Sequence, residues 1–194
     1  MKKVLMALMV FAAAASLKAN TEGYVMLSVF HPGQIPIATT SLDGVRINLI
    51  YGECQNLNGF DFGIAGRVRE RMNGFQLAGC NLIGTDANGA QFAFANYIES
   101  DFAGFQLGLW NCIGGMGTGF QLGVWNEAAK FSGFEMGIVN WSGTVNGFQL
   151  GIVNRVTGGD FFQIGLVNFN EAAISETNGD KETGYVLPFV NMNW

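Results

Sequence analysis

The side chains that most often carry out chemistry are scarce in this sequence. The only histidine is His31, next to Pro32, so a His-based catalytic triad, a multi-histidine zinc site and an HExxH helix are excluded. The cysteines are Cys54, Cys80 and Cys112, with no CxxC pair, and their odd number predicts no disulfide framework. The sequence therefore predicts no enzyme, no cofactor and no metal site.

Three other clusters suggest a site but are better explained as parts of turns. The glycine run GGMGTG at 114–119 lacks the lysine of a phosphate-binding loop. The cluster RVRER at 67–71 is interpreted as a solvated turn, and a net charge of −5 argues against a nucleic-acid partner. Five acidic residues in predicted turns show no calcium-binding pattern: Asp86, Glu99, Asp101, Glu127 and Asp160.

The composition describes a well-ordered chain with little charge. Its 194 residues suit one domain, and 13% are charged, about half the usual share. Glycine occupies 28 positions and phenylalanine 17. Disordered, collagen-like and basic nucleic-acid-binding classes are therefore disfavoured.

The N-terminus predicts export from the cytoplasm. Residues 1–19 place Lys2 and Lys3 before an apolar run that ends in small residues, the pattern of a secretory signal peptide. Cleavage is predicted after Ala15 or Ala19. Removing 1–19 leaves 7 basic and 15 acidic residues, a net charge of −8.

An internal repeat dominates the rest of the sequence. The octet GFQLGLWN at 104–111 recurs at 119, 133, 147 and 161, and weaker copies begin at 89, 74, 59 and 44. Successive copies are 15 residues apart up to 119 and 14 residues apart afterwards. Such a short fixed period indicates a repeat architecture.

Each octet alternates between two sides with a period of two residues, which indicates a β-strand. We expect one strand and one turn per repeat, and an all-β fold. Two polar positions recur and are the predicted structural residues of the repeat. They are Gln76, Gln91, Gln106, Gln121, Gln149 and Gln163 at the third position, and Asn81, Asn96, Asn111, Asn126, Asn140, Asn154 and Asn168 at the eighth.

The favoured assembly is an antiparallel up-and-down transmembrane β-barrel of about 10–12 short strands. Strands of about 10 residues, tilted, span the apolar band of an outer membrane. The glutamines would line the lumen, and the apolar side chains would face lipid. Trp194 would act as a C-terminal assembly signal, and 185–194 would pair with the first strand to close the barrel. The predicted partners are outer-membrane lipid and the barrel assembly machinery.

The alternative assembly is a parallel β-solenoid in which each repeat is one coil. Equivalent residues would then stack, glutamine on glutamine and asparagine on asparagine, with phenylalanine inside. This assembly explains why all the predicted turns look alike. It would also expose an apolar stripe that includes Trp110, Trp125 and Val153.

The repeat divides the chain into five segments. Residues 1–19 form the signal peptide, and 20–43 hold a first strand and a turn-rich link. The nine repeats occupy 44–168, a polar loop occupies 169–183, and a C-terminal strand occupies 184–194.

The octet pattern, together with GVRINLIYG before the array and LPFVNMNW after it, resembles the bacterial surface-repeat family named from leptospiral proteins. The resemblance covers roughly Val25 to Trp194. It implies an exported, surface-associated protein with no assigned chemistry. We expect a location in the outer membrane or on the cell surface of a Gram-negative-type bacterium, with a structural or weakly pore-forming role. The alternative is a secreted or surface-tethered solenoid that acts as an adhesion or interaction module.

Overall fold

A computed structural model describes residues 22–171, 176–177, 180–181 and 185–193. The predicted signal peptide at 1–19, Trp194 and parts of the predicted polar loop lie outside the described residues. Within the described ranges, no helix is long and apolar enough to cross a membrane. The regular elements are strands: β1 Glu22–Phe30, β2 Gly33–Ile35, β3 Ser41–Cys54, β4 Leu57–Val68, β5 Met72–Ile83, β6 Ala87–Phe92, β7 Ala95–Ile98, β8 Phe102–Met136, β9 Val139–Leu150, β10 Val153–Val156, β11 Phe161–Asn170, β12 Glu176–Thr177, β13 Asp180–Lys181 and β14 Tyr185–Asn193.

The chain divides into two compact units, Met1–Glu99 and Ser100–Trp194. In the first unit β3, β4 and β5 pair in parallel, each one repeat further along the chain. β1 pairs in parallel with β3, and β6 and β7 pair in parallel with β5. β2 folds back antiparallel on β1. Equivalent residues are direct neighbours, as in the row Gly44, Gly59, Gly74 and Gly89.

The second unit repeats this arrangement with a longer continuous strand. β8 pairs in parallel with β9, and β9 pairs in parallel with β10 and β11. Residues 147 and 161 are neighbours, as are the glycines at 133 and 147. β14 then pairs antiparallel with β11 and places Asn191 opposite Gln163. β12 and β13 form a separate small hairpin.

The prediction of an antiparallel barrel is therefore wrong. Each unit is a β-solenoid, and the described residues form about 10 turns. Parallel stacking with an offset of one repeat brings identical polar side chains side by side, which an antiparallel meander would not do. The expected one strand and one turn per repeat is also too simple, because strand pairing continues through the glycine run at 114–119 within β8.

The C-terminal strand also differs from its predicted role. The segment 184–191 resembles the octet in sequence, but β14 runs antiparallel to β11 and is not a further parallel coil. Its partner in the second unit is β11, a pairing that the predicted barrel also required.

Glycine at the first octet position permits the close stacking of turns. Gly133 has a φ of 136°, a region that favours glycine. A Cβ atom at Gly133 would lie 2.1 Å from the carbonyl oxygen of Gly119. A side chain is therefore excluded at this position, where the backbones of two stacked turns lie close together.

The interior of each turn combines polar and apolar rows. The glutamine and asparagine positions are fully buried. Two apolar rows flank them, represented in the second unit by Phe131 and Val145, and by Ile113 and Ala128. The phenylalanines at the second octet position lie outside, so the expectation of phenylalanine inside the solenoid is wrong.

Candidate functional site

The glutamine row of the second unit is a buried chain of side-chain hydrogen bonds with one break. Gln121 Nε2 donates to Gln106 Oε1 at 3.1 Å, and Gln163 Nε2 donates to Gln149 Oε1 at 2.7 Å. At the C-terminal end, Asn191 Nδ2 of β14 donates to Gln163 Oε1 at 2.7 Å. β14 therefore caps the row with a donor where the next repeat is missing.

Glu135 interrupts this row. It takes the place of a glutamine between Gln121 and Gln149, and it accepts hydrogen bonds from Ser142 Oγ at 2.6 Å and from Gln149 Nε2 at 2.7 Å. Burial raises the pKa of the Glu135 carboxyl to about 7, although both hydrogen bonds lower it. Gln121 Oε1 has no hydrogen-bond partner. A protonated Glu135 would supply the donor that every glutamine elsewhere in the row supplies.

The asparagine row runs beside the glutamine row with the opposite direction of donation. Asn111, Asn126, Asn140 and Asn154 each donate from Nδ2 to the Oδ1 of the next asparagine, at 2.7–2.9 Å. Each also donates to a backbone carbonyl of the next turn. The amide hydrogen atoms are thus fully used inside the coil.

Glycine at the fifth octet position makes room for this row. A Cβ atom at Gly137 would lie 2.7 Å from Asn126 Nδ2 and 2.8 Å from the carbonyl oxygen of Gly123. The recurring glycine and asparagine of the octet are therefore one structural requirement.

The first unit begins its polar row with a buried ion pair. Arg46 donates from Nε and Nη2 to both carboxylate oxygens of Asp61, at 2.9 and 2.6 Å. Asn48 and Gln76 also donate to Asp61, and Gln91 donates to Gln76 at 2.7 Å. All the charge is matched, as a buried pair requires. Beside it, Asn81 donates to Asn96 at 2.9 Å.

These contacts show what the recurring amides do. They hold successive turns in register, and they are closed to ligands because they are fully buried. Neither row brings together a nucleophile and a base.

The outward surface of the octets themselves is a better candidate for binding. In the second unit, the side chains at the second, fourth, sixth and seventh octet positions point outward, and we call this surface the octet face. It contains Phe105, Leu107, Leu109, Trp110, Phe120, Leu122, Val124, Trp125, Phe134, Met136, Ile138, Val139, Phe148, Leu150, Ile152, Val153, Phe162, Ile164, Leu166 and Val167. None of these side chains is charged or fully buried.

The octet face is ordered by stacking between turns. Phe134 lies between Phe120 and Phe148, with ring centroids 6.1 and 5.1 Å apart, and Phe148 stacks on Phe162 at 5.4 Å. Leu109 and Leu166 are 56% and 59% exposed. Monomeric soluble proteins rarely expose so continuous an apolar area.

The outward residues between octets in the same unit are mostly polar or small, with Met116 and Trp141 as exposed apolar exceptions. We call this surface the polar side; it includes Thr118, Lys130, Thr144, Thr157 and Asp160, all exposed. Charged side chains also lie beside exposed aromatic rings: Trp125 Nε1 donates to Glu127 Oε2 at 3.3 Å, and Arg155 lies 4.2 Å from the centre of the Trp141 ring.

Several of the remaining candidates from the sequence lie in ion pairs or in the interior. No group of three or more metal-ligating side chains is found in the described ranges. Arg69 pairs with Glu53, and Arg71 lies 3.6 Å from Asp86. Burial raises the pKa of the Cys54 thiol to about 11, which makes it a poor nucleophile.

Comparison with known proteins adds no family. The chain matches no protein-family model, no curated protein and no solved structure. We therefore infer the function from the structure of the two units.

Sequence reasoning gave no structural role to the charged members of the polar row. Arg46, Asp61 and Glu135 occupy the third octet position, where glutamine was expected. A charged residue at a position that is otherwise an invariant amide within the array was the available signal.

Proposed function

We propose that the protein is an exported, surface-associated β-solenoid that acts as an interaction module and not as an enzyme. The octet face carries this proposal, because a broad apolar surface on a rigid repeat scaffold is typical of a binding surface. The buried amide rows serve as the scaffold that holds the face in place.

The charge distribution supports a binding role. The positions of the octet face hold no charged residue, Glu127 lies at its edge bonded to Trp125, and Lys130 and Asp160 lie on the polar side. Non-directional apolar contact would supply affinity, and the regular aromatic spacing would supply shape.

Export and surface location rest on the N-terminal pattern and on the resemblance to bacterial surface-repeat proteins. Mass spectrometry of protein purified from the producing cells tests export, and cleavage after Ala15 or Ala19 is expected. Digestion of intact cells by an added protease tests surface exposure. An intact N-terminus with full protection from protease would overturn this part of the proposal.

The binding role is tested on intact cells with an impermeant lysine-reactive cross-linker. A variant with L109K, I138K and L166K disrupts the octet face, and T118K, T144K and T157K form a matched control on the polar side. We expect cross-linked complexes with the parent protein and the control, and their loss with the octet-face variant. Equal cross-linking of all three proteins would contradict a role for the octet face.

A further inference from the structure

We infer that the second unit contains a proton-controlled switch: when Glu135 loses its proton, the side-chain amide of Gln121 reverses its orientation and donates to the carboxylate. Three features of the interior carry this inference. They are the place of Glu135 in a row of amides, the unpartnered oxygen atom of Gln121, and the shape of an amide group. The switch needs no binding partner, so it goes beyond the proposed function.

Gln121 and Glu135 are neighbours in the buried row. They occupy the third position of successive octets, and the residues before them stack, with the ring centroids of Phe120 and Phe134 6.1 Å apart. Neighbouring side chains elsewhere in this row are joined by hydrogen bonds of 2.7–3.1 Å. Both Gln121 and Glu135 are fully buried, so their polar groups depend on each other and on the rest of the row.

Among the described residues, no other charge faces Glu135 from the strands packed around it. β9 contains no charged residue. The other titratable side chains of β8 are those of Cys112, Glu127 and Lys130. They alternate with buried residues along the strand and therefore point outward. The protonation of Glu135 is thus governed by its burial and by its neutral neighbours.

The protonated carboxyl group fits the present orientation of Gln121. Gln121 donates from Nε2 to Gln106 Oε1, and its own Oε1 atom has no hydrogen-bond partner. A neutral Glu135 carries a hydrogen atom for that oxygen, and the whole row then donates in one direction. Burial raises the pKa of the Glu135 carboxyl to about 7, so both forms are present near neutral pH.

The ionised carboxylate does not fit this orientation. It has no hydrogen atom to donate, and the oxygen of Gln121 would face a negative charge in an interior of low dielectric constant. Reversal of the amide replaces Oε1 by Nε2, which donates a charge-assisted hydrogen bond, stronger than a neutral one. The two orientations of a glutamine amide have nearly the same shape, and its terminal torsion is roughly two-fold, so the reversal needs no extra space.

The reversal moves the break in the row by one position. Oε1 of Gln121 then faces Oε1 of Gln106, and the hydrogen bond that Gln121 donates to Gln106 is lost. Two neutral oxygen atoms repel each other less than an amide oxygen and a carboxylate do. The contact between the octets that begin at 104 and 119 is therefore weaker at high pH than at low pH.

Nuclear magnetic resonance of the isotope-labelled protein tests the switch through scalar couplings across hydrogen bonds. We expect Nε2 of Gln121 to couple to the amide carbon of Gln106 at about pH 5 and to the carboxyl carbon of Glu135 at about pH 9. Gln149 is the internal control, because it donates to Glu135 in both states and its coupling should persist. E135Q is the matched variant, in which Gln121 should stay coupled to Gln106 throughout.

Three results would overturn the inference. In the first, the chemical shift of the Glu135 carboxyl carbon changes with pH while Gln121 stays coupled to Gln106, so the amide does not reverse. In the second, that chemical shift stays constant, so no proton is lost. In the third, circular dichroism shows that the parent protein unfolds before the coupling of Gln121 changes, so the fold does not accommodate the ionised form.

Discussion

Gln121 and Glu135 lie on successive turns of one buried row, and the side-chain oxygen of Gln121 has no hydrogen-bond partner. Gly133 beside Gly119 and Phe134 beside Phe120 fix this neighbourhood. Ser142 and Gln149 supply the hydrogen bonds to Glu135, and neither residue is charged. Only the neutral form of the Glu135 carboxyl carries a hydrogen atom that could be donated to Gln121.

The first prediction is a loss of stability as the pH rises. The pKa of Glu135 is about 7 in the folded protein and 4.5 for the free group, so the folded state binds the proton more tightly. The contribution is fully present below about pH 4.5 and is lost as the pH rises to about 7. The loss amounts to about 3 kcal/mol in the free energy of unfolding.

Urea unfolding of the parent protein and E135Q at several pH values measures this effect. A glutamine can donate to Gln121 at every pH, so the stability of E135Q relative to the parent should increase by about 3 kcal/mol between pH 4.5 and pH 8. If the free energies of unfolding of the two proteins change with pH in the same way, Glu135 does not change its charge in this range.

The second prediction compares two glutamines of the row. Gln149 donates to Glu135 and accepts from Gln163, whereas Gln121 donates to Gln106 and its Oε1 atom has no hydrogen-bond partner. Replacement of Gln149 by leucine should therefore cost more stability than replacement of Gln121, by about 1–3 kcal/mol. Chemical unfolding of Q149L and Q121L gives the comparison, and a larger effect for Q121L would refute it.

The third prediction concerns space beside the asparagine row. G137A should destabilise the second unit by about 2–4 kcal/mol, because its Cβ would lie within 2.8 Å of a backbone oxygen and an asparagine amide. G158A is the matched control, since nothing lies within 4 Å of a Cβ at Gly158. Thermal unfolding should show a lower midpoint for G137A alone; equal midpoints would mean that the row does not need this space.

The fourth prediction concerns the buried ion pair of the first unit. D61N leaves the guanidinium of Arg46 buried without its countercharge, at a cost of about 3–5 kcal/mol. D86N, at an exposed pair 3.6 Å long, should cost about 0–1 kcal/mol. Urea unfolding measures both variants, and similar small losses would show that water reaches Arg46.

The sequence predicted the repeat, its strands and the recurring positions of Gln and Asn, because alternation and a fixed period are visible directly in the order of the residues. Strand direction was predicted wrongly. Both assemblies place Gln121 on one side of a strand and Phe120 on the other, so alternation alone does not distinguish them. The low charge favoured lipid around the phenylalanines, but the same residues form the octet face of a solenoid.

The hydrogen bonds that decide strand direction join residues 14 or 15 positions apart, such as Asn126 and Asn140. A local sequence pattern does not indicate which distant residue will accept the hydrogen bond of a side-chain amide. The cap formed by β14 was equally hidden, because 184–191 resembles an octet although its strand runs the opposite way.

Disulfide formation between successive turns tests the parallel solenoid most directly. Lys130 and Thr144 are exposed register partners on β8 and β9, so their Cα atoms lie about 5 Å apart, within reach of a disulfide. In a background with Cys80 and Cys112 changed to serine, K130C with T144C should cross-link rapidly and completely on mild oxidation. K130C with G158C, two turns apart, should not. If the first pair stays reduced in folded protein, successive repeats do not run parallel and the solenoid is contradicted.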